Sequence, residues 1–209
     1  PSGEFHLLGL GLKKPGKKLL ETIEFLRGER DSRNKKIIQK LQEQNIDISY
    51  EELVEKSGTK TIGRPHFAKL LMEKGIIKKT QQAFNLFLAK GRPCYVDKTG
   101  ENLRKAVEAI KESGGIPVQA HPMSMYVSWG KMEETMLEVR NSGVEGLEAH
   151  HPGIRFSEAR RLEELAEMLG MLSTAGSDFH GEKVRADRKI GYSSGGYKIE
   201  DRFWTEQLK

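Results

Sequence analysis

The chain has 209 residues, 36% of them hydrophobic and 31% charged, with a mean hydropathy of −0.60 and a formal net charge of +5. This length and composition fit one globular domain with a small insertion, and no apolar run approaches the ~20 residues that cross a bilayer. A single cysteine, Cys94, excludes an internal disulfide framework and a cysteine-rich zinc site; with no basic segment ahead of the first apolar stretch, a reducing, cytoplasmic location is expected.

Glu4 to Leu12, EFHLLGLGL, predicts a strand interrupted by glycines. A strand needs a neighbour, and nothing upstream supplies one. From Lys17 to Asn45, Leu19, Leu20, Ile23, Phe25, Leu26, Ile37, Ile38 and Leu41 recur at roughly helical spacing, with Gly28 marking a break or kink. Ser49-Tyr50-Glu51-Glu52 has the form of a capping box and predicts a short helix start. Gly63-Arg64-Pro65-His66 leads into a helix that Gly75 stops, and Thr80 to Lys90 predicts another, ended by Gly91. Residues 16–100 therefore read as a helical, basic insertion, and residues 1–15 with 101–209 as the remaining domain. The charge follows this division. Residues 1–100 carry 20 Lys and Arg against 12 Asp and Glu, and residues 101–209 carry 15 against 18. Such a basic half suits an anionic partner, although a lysine-rich solvated surface has the same composition.

From residue 101 the rhythm changes. Helices over Asn102–Ser113, Lys131–Asn141 and Ser157–Leu169 are each followed by glycine and then by an apolar run, IPVQA, VEGLEA and MLSTA. Repeated helix–Gly–strand units predict parallel strands with helical crossovers. The tail from Gly181 is polar, with FWTEQL a candidate final helix.

Each predicted parallel strand ends in a polar cluster: Ala120-His121-Pro122, then Glu148-Ala149-His150-His151-Pro152, then Gly176-Ser177-Asp178-Phe179-His180. Functional groups in α/β folds collect at the carboxyl ends of strands. Histidine and aspartate together are donors for divalent metals. In extended backbone, residues i and i+2 point to one side, so Asp178 and His180 are expected to converge there. Taken alone, His66 or His150 reads as an ordinary surface or hydrogen-bonded histidine. Arg27, Arg30 and Arg33 read as a solvated face, and Cys94 as a buried packer. A Ser177-based triad lacks the nucleophile-elbow glycines, and neither a Walker A loop nor a dinucleotide fingerprint is present.

In this order, FHLLGLGL, GRPHFAKLLMEKG, GGIPVQAHP, GVEGLEAHHP and GSDFHG resemble the polymerase and histidinol phosphatase (PHP) family of metal-dependent phosphoesterases. The closer similarity is to its nucleoside 3′,5′-bisphosphate phosphatase and 5′-to-3′ exoribonuclease branch. The resemblance implies an α/β fold, a distorted (β/α)7 TIM-like barrel with a helical insertion subdomain, and two or three divalent ions (Mn, Fe or Zn). It implies that His6, His121, Asp178 and His180 are metal ligands. It makes Asp178 and His180 catalytic, and it sets Arg64, His66 and His151 against the substrate. The family pattern opens with an H-x-H strand and further acidic and histidine ligands, none of which precedes His6 in this sequence, so the chain is expected to be part of a longer protein. The implied activity is hydrolysis of phosphate esters of nucleotides or short oligonucleotides by metal-activated water, with no membrane association and no stable protein partner. Two alternatives stand beside it: a non-catalytic nucleic-acid-binding module built from the basic block, and a metal-dependent amidohydrolase on a similar barrel.

Overall fold

The computed structural model describes residues 3–59, 61–181 and 187–206. In chain order the elements are β1 (His6–Leu10), α1 (Lys17–Glu43), α2 (Tyr50–Ser57), α3 (Arg64–Glu73), α4 (Thr80–Ala83), α5 (Leu103–Glu112), β2 (Ile116–Ala120), α6 (Trp129–Asn141), β3 (Gly146–His150), α7 (Phe156–Met168), β4 (Leu172–Ala175) and α8 (Arg202–Thr205). Two compact units result: residues 1–20 with 102–209, and residues 21–101.

The first unit is a mixed α/β layer. Its four strands lie in the order β1-β2-β3-β4, with β2, β3 and β4 parallel and joined through α6 and α7. The neighbour missing upstream of β1 comes from downstream. β1 pairs antiparallel with β2, from His6 opposite Ala120 to Leu10 opposite Ile116. Strand pairing is indifferent to direction along the chain, so a strand near the start of the sequence can take a partner from one more than a hundred residues later. Among the described residues the sheet is four-stranded.

β3 is buried along its whole length, as a central parallel strand covered on both faces must be. Gly146 is needed there, because a Cβ would lie 2.9 Å from a Val118 methyl. Val107, Met132, Met136, Leu147, Leu162 and Leu165 belong to one buried cluster packed against the sheet. Asn102 caps α5 by accepting from the Arg104 and Lys105 N–H groups. At the other end of α5, the buried Ser113 hydroxyl donates to Ala109 O and accepts from the Gly16 N–H, tying the segment after β1 to this helix.

The second unit is helical. Ile37, Ile38, Leu41, Leu53, Phe67, Leu70 and Leu71 share a core with the fully buried Cys94. Ser49 caps α2 by accepting the Glu52 N–H at 3.1 Å, and Gly58, with φ 62°, ends it. α1 runs through Gly28 without interruption. The helix predicted over Thr80 to Lys90 divides: after α4 it widens into a π turn over Phe84–Leu88, in which Ala89 N–H reaches back to Phe84 O. Of the candidate final helix, α8 covers Phe203 to Thr205, and Gln207 and Leu208 lie outside the described residues. Among the described residues, no helix is long and apolar enough to cross a membrane.

Candidate functional site

The carboxyl ends of β2, β3 and β4 carry the residues singled out above, and the antiparallel pairing of β1 brings His6 to the same end, opposite Ala120. His6 Nδ1 and His121 Nε2 are 3.1 Å apart, though 115 residues separate them in sequence. Their rings meet edge to face, and the His151 ring lies 6.1 Å from that of His121.

The hydrogen bonds assign the tautomers. Ser124 Oγ donates to Glu4 O, so it accepts from His121 Nδ1–H at 2.7 Å. His151 Nδ1–H donates to Pro152 O at 3.0 Å, and His180 Nδ1–H donates to Asp178 O at 2.8 Å. In all three imidazoles the second nitrogen therefore keeps its lone pair, the state a metal ligand or a proton acceptor needs. Among the described residues, His151 Nε2 is buried and without a partner. Burial lowers the basicity of His151, and the nearby positive ends of His121 and Arg188 act in the same direction, against the Pro152 contact and the Asp178 charge.

His150 has the opposite arrangement. A bulge in β3 between Glu148 and His150 shifts the register. His150 Nε2–H donates to Glu163 Oε2 at 3.0 Å, while Ser194 Oγ donates to its Nδ1 at 3.3 Å. It packs between Phe156 and Phe203, where it ties α7 to α8.

Asp178 and His180 do meet, but not by the expected geometry. Asp178 has φ 47°, so the segment turns rather than extends, and His180 folds back to place Nδ1 3.5 Å from Asp178 Oδ1. His121 is also left-handed, with φ 28°. Non-glycine residues in this region cost of order 1 kcal/mol or more and concentrate at functional sites.

Glu148 belongs to the second polar cluster but is absent from the expected site residues. Its side chain is buried at the centre of the strand ends, and Oε2 accepts the His121 N–H at 2.8 Å. Burial pushes its carboxyl up to about 7; the His121 N–H opposes this and the Asp178 charge adds to it. Of the two glutamates of VEGLEA, Glu148 stands next to the His150-His151 cluster at the predicted strand end, and that position was the available signal.

Arg64 and His66 lie in the helical unit. Gly63 N–H donates to His66 Nδ1 at 3.0 Å, so the imidazole caps its own helix. Arg64 donates to Val96 O at 2.8 Å and stacks over the Tyr95 ring, 4.7 Å from its centroid.

Imidazole nitrogen and carboxylate oxygen are the donors that Mn, Fe and Zn accept. The 3.1 Å between His6 Nδ1 and His121 Nε2 is close to the ~3 Å separating adjacent donors on bonds of about 2.1 Å, so this pair fits one ion. Among the described residues, no group of three or more His, Cys, Asp or Glu side chains is arranged to hold a metal.

No family model matches the chain. It is 25% identical over 180 residues to a 5′-3′ exoribonuclease of Haemophilus influenzae, covering 84% of this chain and 64% of that protein. It is 25% identical over 202 residues to a 3′,5′-nucleoside bisphosphate phosphatase of Chromobacterium violaceum, covering 96% and 70%. The structure of an amidohydrolase from Chromobacterium violaceum, with bound sulfate and no metal, superposes with a TM-score of 0.77 at 25% identity, over 91% of this chain and 66% of that one. A metal-dependent phosphoesterase structure from Bifidobacterium adolescentis shares the fold, with a TM-score of 0.78 at 24% identity over 98% and 70%. The chain thus spans about two thirds of its relatives' length, and the two named enzymes bear out the resemblance to the PHP phosphoesterases.

Proposed function

We propose that this chain, a relative of the PHP phosphoesterases, supplies part of the barrel and of the active site of a metal-dependent hydrolase that cleaves phosphate esters of nucleotides or short oligonucleotides. The observation that carries the reading is the meeting of His6 and His121 ring nitrogens at 3.1 Å, at the strand ends where Asp178 and His180 also stand. The sheet and its helical crossovers are read as a sector of a distorted (β/α)7 barrel, and residues 21–101 as its insertion.

His6, His121, Asp178 and His180 are assigned as the residues that hold divalent ions, of the Mn, Fe or Zn class. Such ions neutralise phosphoryl oxygens and lower the pKa of a bound water. The chain's own contribution is orientation. Ser124 fixes the His121 ring, the Asp178 carbonyl fixes that of His180, and each presents Nε2. His151, with its lone pair on Nε2, is assigned to accept a proton from a substrate hydroxyl or an attacking water. Arg64 and His66 are assigned to the substrate phosphate.

Metal content by elemental analysis and hydrolysis of a mononucleotide ester test the reading, on the whole protein to which this chain belongs. Asp178→Ala and His121→Ala are expected to lower bound metal and to reduce turnover by at least ~100-fold, the scale of losing a metal-centred step. Undiminished metal and turnover in both would overturn it. The amidohydrolase neighbour favours a second reading, hydrolysis of an amide at the same centre. A panel of phosphate esters and amides under identical metal loading separates the two.

A further inference from the structure

Three of the polar atoms of His121 are tied down, and the fourth is aimed. Its N–H donates to Glu148 Oε2 at 2.8 Å, its carbonyl accepts the Ser124 N–H at 2.9 Å, and its Nδ1–H donates to Ser124 Oγ at 2.7 Å. The fourth atom, Nε2, faces His6 Nδ1 at 3.1 Å.

These ties differ in origin. Ser124 belongs to the same short turn as His121, and its own links to Glu4 hold that turn to the segment before β1. The His121 peptide itself is held from another strand. Glu148 lies 27 residues away on β3 and takes the peptide N–H directly. That peptide needs holding, because His121 has φ 28° and ψ 66°, a left-handed conformation that residues with a Cβ rarely adopt. Relaxation toward extended backbone would redirect the Cα–Cβ bond and turn the ring away from His6.

The setting of Glu148 agrees with such a task. β3 is buried at every residue, and Leu147 and Ala149 belong to the apolar cluster packed against the sheet. Glu148 alternates to the opposite face and is 7% exposed. A carboxyl loses its hydration there, whereas an apolar side chain would be buried at no such cost. The next strand end is shaped to admit it, since Gly176 leaves open the space that Oε1 occupies.

We infer that Glu148 is a positioning residue for the strand-end metal pair: by accepting the His121 N–H it holds the left-handed peptide that aims Nε2 at His6 Nδ1. The inference rests on the reading of His6 and His121 as metal ligands and adds to it a residue that acts through His121. Accepting an N–H requires an oxygen lone pair and no charge, so a side-chain amide can replace the carboxyl. Direct ligation of an ion would instead depend on the charged oxygen.

The test uses the whole protein to which this chain belongs, freed of metal by chelation. Zinc affinity by competition calorimetry is expected to fall ~10- to 100-fold in Glu148→Ala, the usual effect of losing a partner that orients a ligand, and to stay near the parent's in Glu148→Gln. In the metal-free protein, an NMR cross-relaxation contact between the His6 and His121 rings is expected in the parent and in Glu148→Gln, and is expected to vanish in Glu148→Ala. Equal losses of zinc affinity in Glu148→Gln and Glu148→Ala would make the charge responsible and would overturn the inference. Parent-like affinity and ring contact in Glu148→Ala would overturn it as well. Should Glu148→Ala fail to fold, Gly176→Ala displaces the carboxylate from the neighbouring strand and carries the same expectations. If the parent binds no zinc, the metal reading fails, and the ring contact alone decides whether Glu148 sets the His121 geometry.

Discussion

Glu148 and Gly176, on neighbouring strand ends, are shaped to each other: a Cβ at Gly176 would lie 1.9 Å from Glu148 Oε1, while the other carboxylate oxygen holds the His121 N–H at 2.8 Å. The glycine of GSDFH thus makes room for a carboxylate from the adjacent strand, and that carboxylate fixes the backbone of a candidate ligand.

Gly176→Ala is therefore expected to push Glu148 off the His121 N–H and to destabilise the protein by ~1–3 kcal/mol. Glu148→Ala removes the acceptor at a similar cost. The two changes act on one contact, so the double mutant should be more stable than additivity requires by ~0.5 kcal/mol or more. Denaturant unfolding of the four proteins in the cycle measures this, and strict additivity would show that the contact does not form.

Stability should depend on pH through Glu163. Burial raises its pKa, but hydrogen bonds from Arg202 and His150 and their charges outweigh burial and leave the carboxyl below its usual value of 4.5. A carboxylate whose folded value is depressed contributes stability that is present above the unfolded value and is lost as pH falls through the folded one. Thermal unfolding followed downward from pH 6 should show a shallower loss in Glu163→Gln than in the parent below about pH 4.5, the unfolded carboxylate range. Parallel curves would mean that Glu163 is not paired in the folded chain.

Cys94 offers a direct probe of the helical unit. The side chain is fully buried, and burial pushes its thiol up. Both effects suppress the thiolate that attacks disulfide reagents. Labelling in native buffer should follow opening of the unit and accelerate sharply in denaturant. Stoichiometric labelling within seconds under native conditions would contradict the packing around Leu41, Phe67 and Leu88.

Ser113→Ala tests the tie between α5 and the segment after β1. It removes the acceptor of the Gly16 N–H and the donor to Ala109 O, and it should cost about 1–2 kcal/mol. Ser113→Thr keeps the hydroxyl and is expected to lose less. Equal losses would assign the cost to packing instead.

The sequence alone determined the elements whose physics is local. Hydrophobic periodicity located α1, the proline start and Gly75 stop located α3, the helix–Gly–strand rhythm located α5 to α7 and the strands β2 to β4, and the cap at Ser49 was legible because capping and left-handed turns depend on a few neighbouring residues. The repeated helix–Gly–strand units were enough to place histidines and Asp178 at strand ends. Tertiary structure decided what depends on distant partners. β1 takes its register from a strand more than a hundred residues later, and this alone sets His6 against His121. The turn at Asp178, the bulge that separates Glu148 from His150, and the burial that shifts Glu148 all arise from packing between strands. No pattern within a single segment encodes them, because their energies come from groups that meet only once the sheet has formed.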